Sequence, residues 1–116
     1  MTFPQLTKLY YTISEVARIC DLEQHVLRYW ESQFPQLRPR RKTGGRRLYR
    51  PDDIKLALYI KHLLYHQRYT LEGARKSLAE VKRSQIPQLE IPFEEAQMRQ
   101  ALREIAKELK EIQALL

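Results

Sequence analysis

The chain has 116 residues, a formal net charge of +7 and 43% hydrophobic residues. This length accommodates one compact domain with an appendage, and this apolar fraction suffices for a modest core. The single cysteine excludes an internal disulfide framework and a multi-cysteine zinc site. Because no apolar run reaches the length of a membrane span or resembles a secretory signal, we expect a cytoplasmic protein without a membrane partner.

The positive charge is concentrated in the first four-fifths of the chain. Residues 1–92 carry 17 Lys and Arg against 9 Asp and Glu, whereas residues 93–116 carry 4 against 5. Total basicity would fit nucleic acid, an acidic membrane or an acidic protein equally well. The clustering of the charge therefore has to distinguish between these partners.

Two short helices are predicted near the N-terminus. Thr12 and Glu15 have the spacing of a capping box, and an apolar stripe with helical spacing follows them. Cys20 lies on that stripe, so we interpret it as a small core residue and not as a reactive thiol. After a break at Asp21, a second helix is predicted over about residues 23–33.

The second predicted helix has an apolar side and a polar side. The polar side offers Gln24, His25, Arg28 and Ser32 at helical spacing. Two helices joined by three or four residues, with a polar second helix, suit insertion of that helix into the major groove of DNA. A solvated helix face without a partner is an equally simple interpretation of the same residues.

The most basic segment of the chain covers residues 38–50 and reads RPRRKTGGRRLYR. It contains seven basic residues and no acid. Two adjacent glycines divide it into short arms, and glycine supplies the positive φ that a tight hairpin turn requires. Such unbalanced charge is hard to explain unless a polyanion lies against the hairpin. Together with the preceding helix pair, it predicts a winged helix-turn-helix on duplex DNA.

Two further helices are predicted after the hairpin. Pro51 starts a third helix with acids in its first turn, and the many apolar residues of this helix make it the expected centre of the core. Thr70 can cap a fourth helix that runs to about Ser84. His62 and His66 are one turn apart, but no third ligand of suitable spacing is visible, so no metal site is predicted.

The last part of the chain is predicted to be a linker and one helix. Residues 85–92 include two prolines and cannot continue the fourth helix. Over residues 93–116 the apolar positions step by 4, 3, 4, 3 and 4, which is the seam of a helix packed on a partner helix. The seam residues are Met98, Leu102, Ile105, Leu109, Ile112 and Leu116. We expect self-association through this seam, and packing on the chain's own domain is the alternative.

The ordered motifs resemble those of the MerR family of bacterial transcription regulators. The matching strings are YTISEVARICDLEQHVLRYWE, GGRRLYRPDDI and YTLEGARKSL, and together they cover about residues 10–84. The resemblance implies an all-α fold with a small β-hairpin wing, in which a winged helix-turn-helix is followed by a C-terminal coiled-coil helix. The implied divisions are a DNA-binding domain over residues 1–84, a linker over 85–92 and a dimerisation helix over 93–116.

The resemblance also implies roles for individual residues. Arg28 and Tyr29 match a family pair that contacts DNA from the second helix, and His25 stands where bases are often read. Arg47 and Tyr49 match wing residues that clamp the phosphate backbone. Guanidinium groups suit bidentate contacts to phosphate or guanine, and tyrosine can donate one hydrogen bond from a stiff ring. The full set expected to contact DNA is Gln24, His25, Arg28, Tyr29, Arg40, Arg41, Lys42, Arg46, Arg47 and Tyr49.

Three departures from the family pattern refine this interpretation. Trp30 replaces the usual second tyrosine and is expected to fill the core. One extra residue lies between the third and fourth helices, near Gln67. No effector domain, cysteine-rich loop or drug pocket follows the C-terminal helix, so we expect neither a cofactor nor ligand-induced activation.

These patterns predict a sequence-specific, nucleoid-associated transcription regulator. It would bind a pseudo-palindromic site as a homodimer. The resemblance further implies that this site lies in a promoter and is distorted on binding, with RNA polymerase as a further candidate partner. The alternative is a DNA-architectural protein, excisionase-like or chromosome-anchoring, that uses the same fold without promoter control. An enzyme is not expected, because no nucleophile, base and orienting group with a suitable mutual geometry can be assembled.

Overall fold

The computed structural model describes residues 8–39, 41–43, 46–88 and 99–108. In chain order they form β1 (Tyr11–Thr12), α1 (Ile13–Cys20), α2 (Gln24–Gln33), β2 (Arg41–Thr43), β3 (Arg46–Tyr49), α3 (Pro51–Lys61), α4 (Leu71–Ala79) and α5 (residues 99–108). A π-helical turn (His62–His66) extends α3, and a 3-10 helix (Arg83–Gln88) follows α4. A mostly helical fold with a basic hairpin confirms the predicted winged helix-turn-helix.

The helix-turn-helix begins at the predicted capping box of α1. The Thr12 hydroxyl accepts the backbone N–H of Glu15 at 3.2 Å, and the Glu15 carboxylate accepts the N–H of Thr12 at 2.9 Å. This reciprocal capping satisfies two amides that have no partner inside the helix. At the end of α1, Asp21 adopts left-handed backbone (φ 54°), which lets the Leu22 amide donate to the Ala17 carbonyl at 2.9 Å. The chain therefore turns tightly from α1 into α2.

The hairpin belongs to a three-stranded antiparallel sheet with the strand order β1-β3-β2. Thr43 pairs with Arg46, so the two strands flank the two glycines as predicted, while the glycines themselves lie outside the described residues. The sequence does not predict β1, in which Tyr11 pairs with Tyr49. A strand of two residues is too short to show an alternating pattern. This strand attaches the start of α1 to the wing.

A single hydrophobic core joins the described helices. As predicted, α3 lies at its centre and buries Ile54, Leu56, Ala57, Leu58 and Ile60. Trp30 of α2 fills the core with 3% of its surface exposed, which confirms the role expected for this residue. Cys20 is buried too, and burial raises the pKa of its thiol to about 12. A thiol in this state is a poor nucleophile, as expected for a core residue.

The extra residue near Gln67 coincides with the π-helical turn at the end of α3. The Gln67 amide donates to the carbonyl of His62 at 2.9 Å, five residues back instead of four. The widened turn accommodates one more residue without unfolding the helix. Within it, the Tyr65 ring meets the Trp30 ring edge-on, with the centroids 6.2 Å apart. The turn therefore contacts the inner side of α2.

α4 is shorter than predicted. The Thr70 hydroxyl caps it by accepting the Gly73 amide at 3.0 Å, but the helix ends at Ala79 and not near Ser84. The chain then forms the 3-10 helix, which packs on α3 and buries Ile86 with 2% of its surface exposed. The first part of the predicted linker is thus ordered, because burying Ile86 compensates for the helical bonds that the prolines prevent. Residues 89–92 lie outside the described residues.

α5 lies against the same domain. Ala101 and Ile105 are buried, with 6% and 3% of their surfaces exposed, and both belong to the main core. The Arg18 guanidinium of α1 donates two hydrogen bonds to the Glu108 carboxylate, at 2.6 and 3.1 Å. Self-association through the seam stays a prediction, but Ile105 itself packs within its own chain. This is the alternative that the seam left open, since a heptad pattern specifies a buried stripe and not its partner.

The remaining seam residues are less fully described. Leu102 is partly buried and packs against the core. Met98, Leu109, Ile112 and Leu116 lie outside the described residues. None of the described helices is long and apolar enough to cross a membrane.

Candidate nucleic-acid interface

α2 presents a polar face to solvent beside its buried face. Leu27 is fully buried on the inner side. The exposed polar residues of the outer side are Gln24, His25, Arg28 and Ser32. Tyr29 is next to this face and has 52% of its surface exposed, so its ring and hydroxyl are accessible. All four DNA contacts predicted for the second helix are therefore exposed on α2. They are Gln24, His25, Arg28 and Tyr29.

The wing carries most of the remaining predicted contacts. Arg46 is exposed, and one third of the Arg47 side chain is accessible to solvent. Arg41 and Lys42 lie on β2, which pairs with β3, so the sheet brings the basic residues of both arms together. Arg40 lies outside the described residues.

Tyr49 is placed differently from the expectation that it clamps a phosphate. It is completely buried, and its hydroxyl donates a hydrogen bond to the Glu31 carboxylate of α2. Burial, reinforced by this hydrogen bond, raises the pKa of the Tyr49 hydroxyl far above its ordinary value. The tyrosine therefore stays neutral and joins the wing to α2. Its aromatic ring is buried in the core at the end of β3. To contact a phosphate, the ring would have to leave the core.

Glu31 joins the described part of the site although the sequence analysis does not predict it. One carboxylate oxygen accepts the Tyr49 hydroxyl, and the other is 3.4 Å from Nε of Arg47. Only 10% of the Glu31 side chain is exposed. Arg47 and Tyr49 are two residues apart, so they share one face of β3 and reach the same carboxylate. The acid is visible in the sequence at the end of LRYWE, but helical spacing does not show which strand it faces.

The histidine pair forms no metal cluster. The rings of His62 and His66 stack with centroids 5.7 Å apart. Burial lowers the pKa of His62, and the nearby His66 lowers it further, so His62 favours its neutral form. Within the described ranges, no group of three or more His, Cys, Asp and Glu side chains could hold a metal ion.

A helix-turn-helix whose second helix carries an exposed polar face beside a basic wing defines the class of winged helix-turn-helix DNA-binding domains. Residues 11–81 match the family described as MerR HTH family regulatory protein, and the chain belongs to this family. The resemblance inferred from the motifs is thereby confirmed. The chain thus contains the helix-turn-helix domain of the MerR family.

The chain is also similar to individual regulators. Over 51 residues it is 43% identical to the HTH-type transcriptional regulator MlrA of Escherichia coli (strain K12) and of Salmonella typhimurium, which covers 44% of this chain and 21% of MlrA. Over 55 residues it is 38% identical to the uncharacterized HTH-type transcriptional regulator YyaN of Bacillus subtilis, which covers 47% of this chain and 40% of YyaN. The matches thus span about a fifth and two fifths of these relatives. No solved structure matches the chain significantly.

Proposed function

We propose that the chain binds a specific site in promoter DNA, with α2 in the major groove and the wing on the neighbouring phosphates. The observation that carries this proposal is the joining of the two elements: the exposed polar face of α2 and the basic strand β3 are connected through Glu31. A groove-reading helix and a phosphate-binding hairpin are useful together only when they are held in one register. The regulator would act in the cytoplasm, without catalysis.

The proposed division of labour follows from the chemistry of the side chains. Gln24 and His25 are in the first turn of α2, and the N-terminal residues of a recognition helix contact base edges. Arg28 follows one turn later and can reach either a guanine or a phosphate. Arg46 and Arg47 supply sequence-independent affinity, because cations that neutralise phosphates release counterions.

We further propose that the site is pseudo-palindromic, is bound by a homodimer and is distorted on binding. A twofold dimer would place two α2 helices in successive major grooves. Because Ile105 is buried within its own chain, we assign the contact between copies to the rest of the seam. These residues are Met98, Leu102, Leu109, Ile112 and Leu116.

Selection of bound duplexes from a random pool tests sequence-specific binding. The selected duplex and a random duplex are then compared by fluorescence anisotropy at several salt concentrations. Arg47→Ala is expected to weaken binding to both duplexes and to reduce the slope of log affinity against log salt by about one. His25→Ala is expected to reduce the preference for the selected duplex by roughly 1–3 kcal/mol.

Lys107→Ala on α5 serves as the matched control, because it removes one exposed positive charge that belongs to neither α2 nor the wing. It should change neither the slope of log affinity against log salt nor the preference for the selected duplex. Equal losses on both duplexes from His25→Ala and Arg47→Ala would contradict the division of labour. A pool that yields no preferred sequence would reject specific binding and favour the architectural alternative.

A further inference from the structure

Glu31 occupies an unusual position for an acid in a DNA-binding surface. It lies in the last turn of α2 beside the wing, and 90% of its side chain is shielded from solvent. A carboxylate close to DNA repels phosphates. Glu31 would therefore weaken DNA binding unless it contributes to recognition in another way. Both of its oxygens are used within the protein, one by Tyr49 and one by Arg47.

The contact with Tyr49 sets the register between α2 and the sheet. Tyr49 is fixed by complete burial and by its pairing with Tyr11 of β1. The hydrogen bond that the Tyr49 hydroxyl donates to Glu31 therefore holds the end of α2 against β3. Hydrogen bonds to a charged acceptor are stronger than neutral ones, and burial strengthens them further.

The contact with Arg47 sets the direction of the wing's guanidinium. The ion pair engages Nε, and one third of the Arg47 side chain is exposed. Since guanidinium carries five N–H donors in a planar fork, the outer amino groups remain able to donate to a phosphate. Arg47 is thus held by the same carboxylate that holds α2.

We propose that Glu31 is a positioning residue for DNA recognition: it couples the wing to α2, so that the phosphate contact of Arg47 and the base contacts of α2 form in one fixed register. The carboxylate also offsets one wing charge and so opposes binding in arbitrary registers. Glu31 thereby increases discrimination between sequences without contacting DNA. This inference rests on the proposed sequence-specific binding.

Glu31→Gln tests the proposal with little change in shape. The amide oxygen can still accept the Tyr49 hydroxyl, but the charge that holds Arg47 is lost. Affinities for the duplex selected by the unaltered chain and for a random duplex are measured over a range of salt concentrations. The random duplex should bind a few-fold more tightly, and the ratio between the two affinities should fall about tenfold.

Tyr49→Phe is the complementary variant, because it removes the hydroxyl and leaves the Arg47 pair. It should reduce the ratio by about threefold, and the double variant should lose less than the product of both effects, since the two contacts share one carboxylate. It also keeps the proposal testable if Glu31→Gln does not fold. Glu72→Gln on α4 removes an exposed carboxylate and serves as the charge control.

A purely structural role makes a different prediction. Glu31→Gln would then lower thermal stability and reduce both affinities in proportion to the folded fraction, with an unchanged ratio. That result, or an unchanged ratio in a fully folded variant, would overturn the proposal. If the unaltered chain itself selected no sequence, the proposed function would fail first, and the inference would fail with it because there would be no discrimination to increase.

Discussion

Sequence patterns predict the helix-turn-helix and its wing more completely than they predict the packing of the C-terminal helix. In the first region, caps and turn residues predict elements that the structure contains, from the Thr12 capping box to the β2–β3 hairpin. In α5 the heptad pattern predicts a stripe that packs on a second copy, whereas Ile105 is buried in its own domain and Leu102 packs partly buried against it. The difference shows that a periodic pattern reports burial, whereas the identity of the partner depends on contacts distant in sequence.

Leu27→Ala should have the largest effect of the substitutions that sharpen this comparison. Leu27 is fully buried on the inner side of α2, so truncation removes apolar contacts and leaves a cavity. We expect the free energy of unfolding, measured by urea denaturation, to fall by about 2–5 kcal/mol. Gln24→Ala on the exposed side of the same helix is the control and should change it by less than about 0.5 kcal/mol. Similar losses from both would mean that α2 does not pack as described.

Ile105→Ala addresses the other region. Ile105 is nearly as buried as Leu27, but local undocking of α5 would limit the loss in stability to the free energy of docking. We expect a decrease of about 2 kcal/mol, the same at low and high protein concentration. Glu104→Ala, on an exposed part of α5, should have little effect. A loss that grows with dilution would show that Ile105 packs between two copies, and the contrast between the regions would disappear.

Thr12→Ala should have a smaller effect, confined to the start of α1. It removes the hydroxyl that accepts the Glu15 amide, and the loss of such a cap typically costs about 1 kcal/mol. Thr12→Ser keeps the hydroxyl and should retain most of the stability. If serine does not rescue the alanine variant, the effect arises from the pairing of β1 with β3 and not from the cap.

The smallest expected effect concerns the ion pair between α1 and α5. The hydrogen bonds from Arg18 lower the pKa of Glu108 below its ordinary value of 4.5. The pair therefore stabilises docking of α5 fully above that value, and the contribution disappears as pH falls through the depressed pKa. The methyl signals of Ile105 in NMR spectra should report partial undocking over this acidic range. In Glu108→Gln this dependence should be absent, and an identical pH profile would remove the ion pair from the account.

The features that the sequence predicts depend on residues that are close together in the chain. The break after α1, the proline that starts α3 and the cap of α4 depend on residues within one helical turn, so local rules identify them. β1, the early end of α4 and the burial of Tyr49 depend on what distant segments offer. Ile86 and Tyr49 are drawn into the core by neighbours far along the chain, and a residue-by-residue comparison with the family motif does not show this. Glu31 belongs to the same class, because its role exists only where α2 meets β3.

The central claim, that α2 and the wing form one DNA-binding surface, is tested most directly by NMR titration of the labelled chain with the selected duplex at low ionic strength. We predict that amide signals of the first turn of α2 and of β3 shift together, with the same apparent affinity, while those of α5 change little. Shifts that occur in the wing alone, or at α5 without α2, would contradict the account.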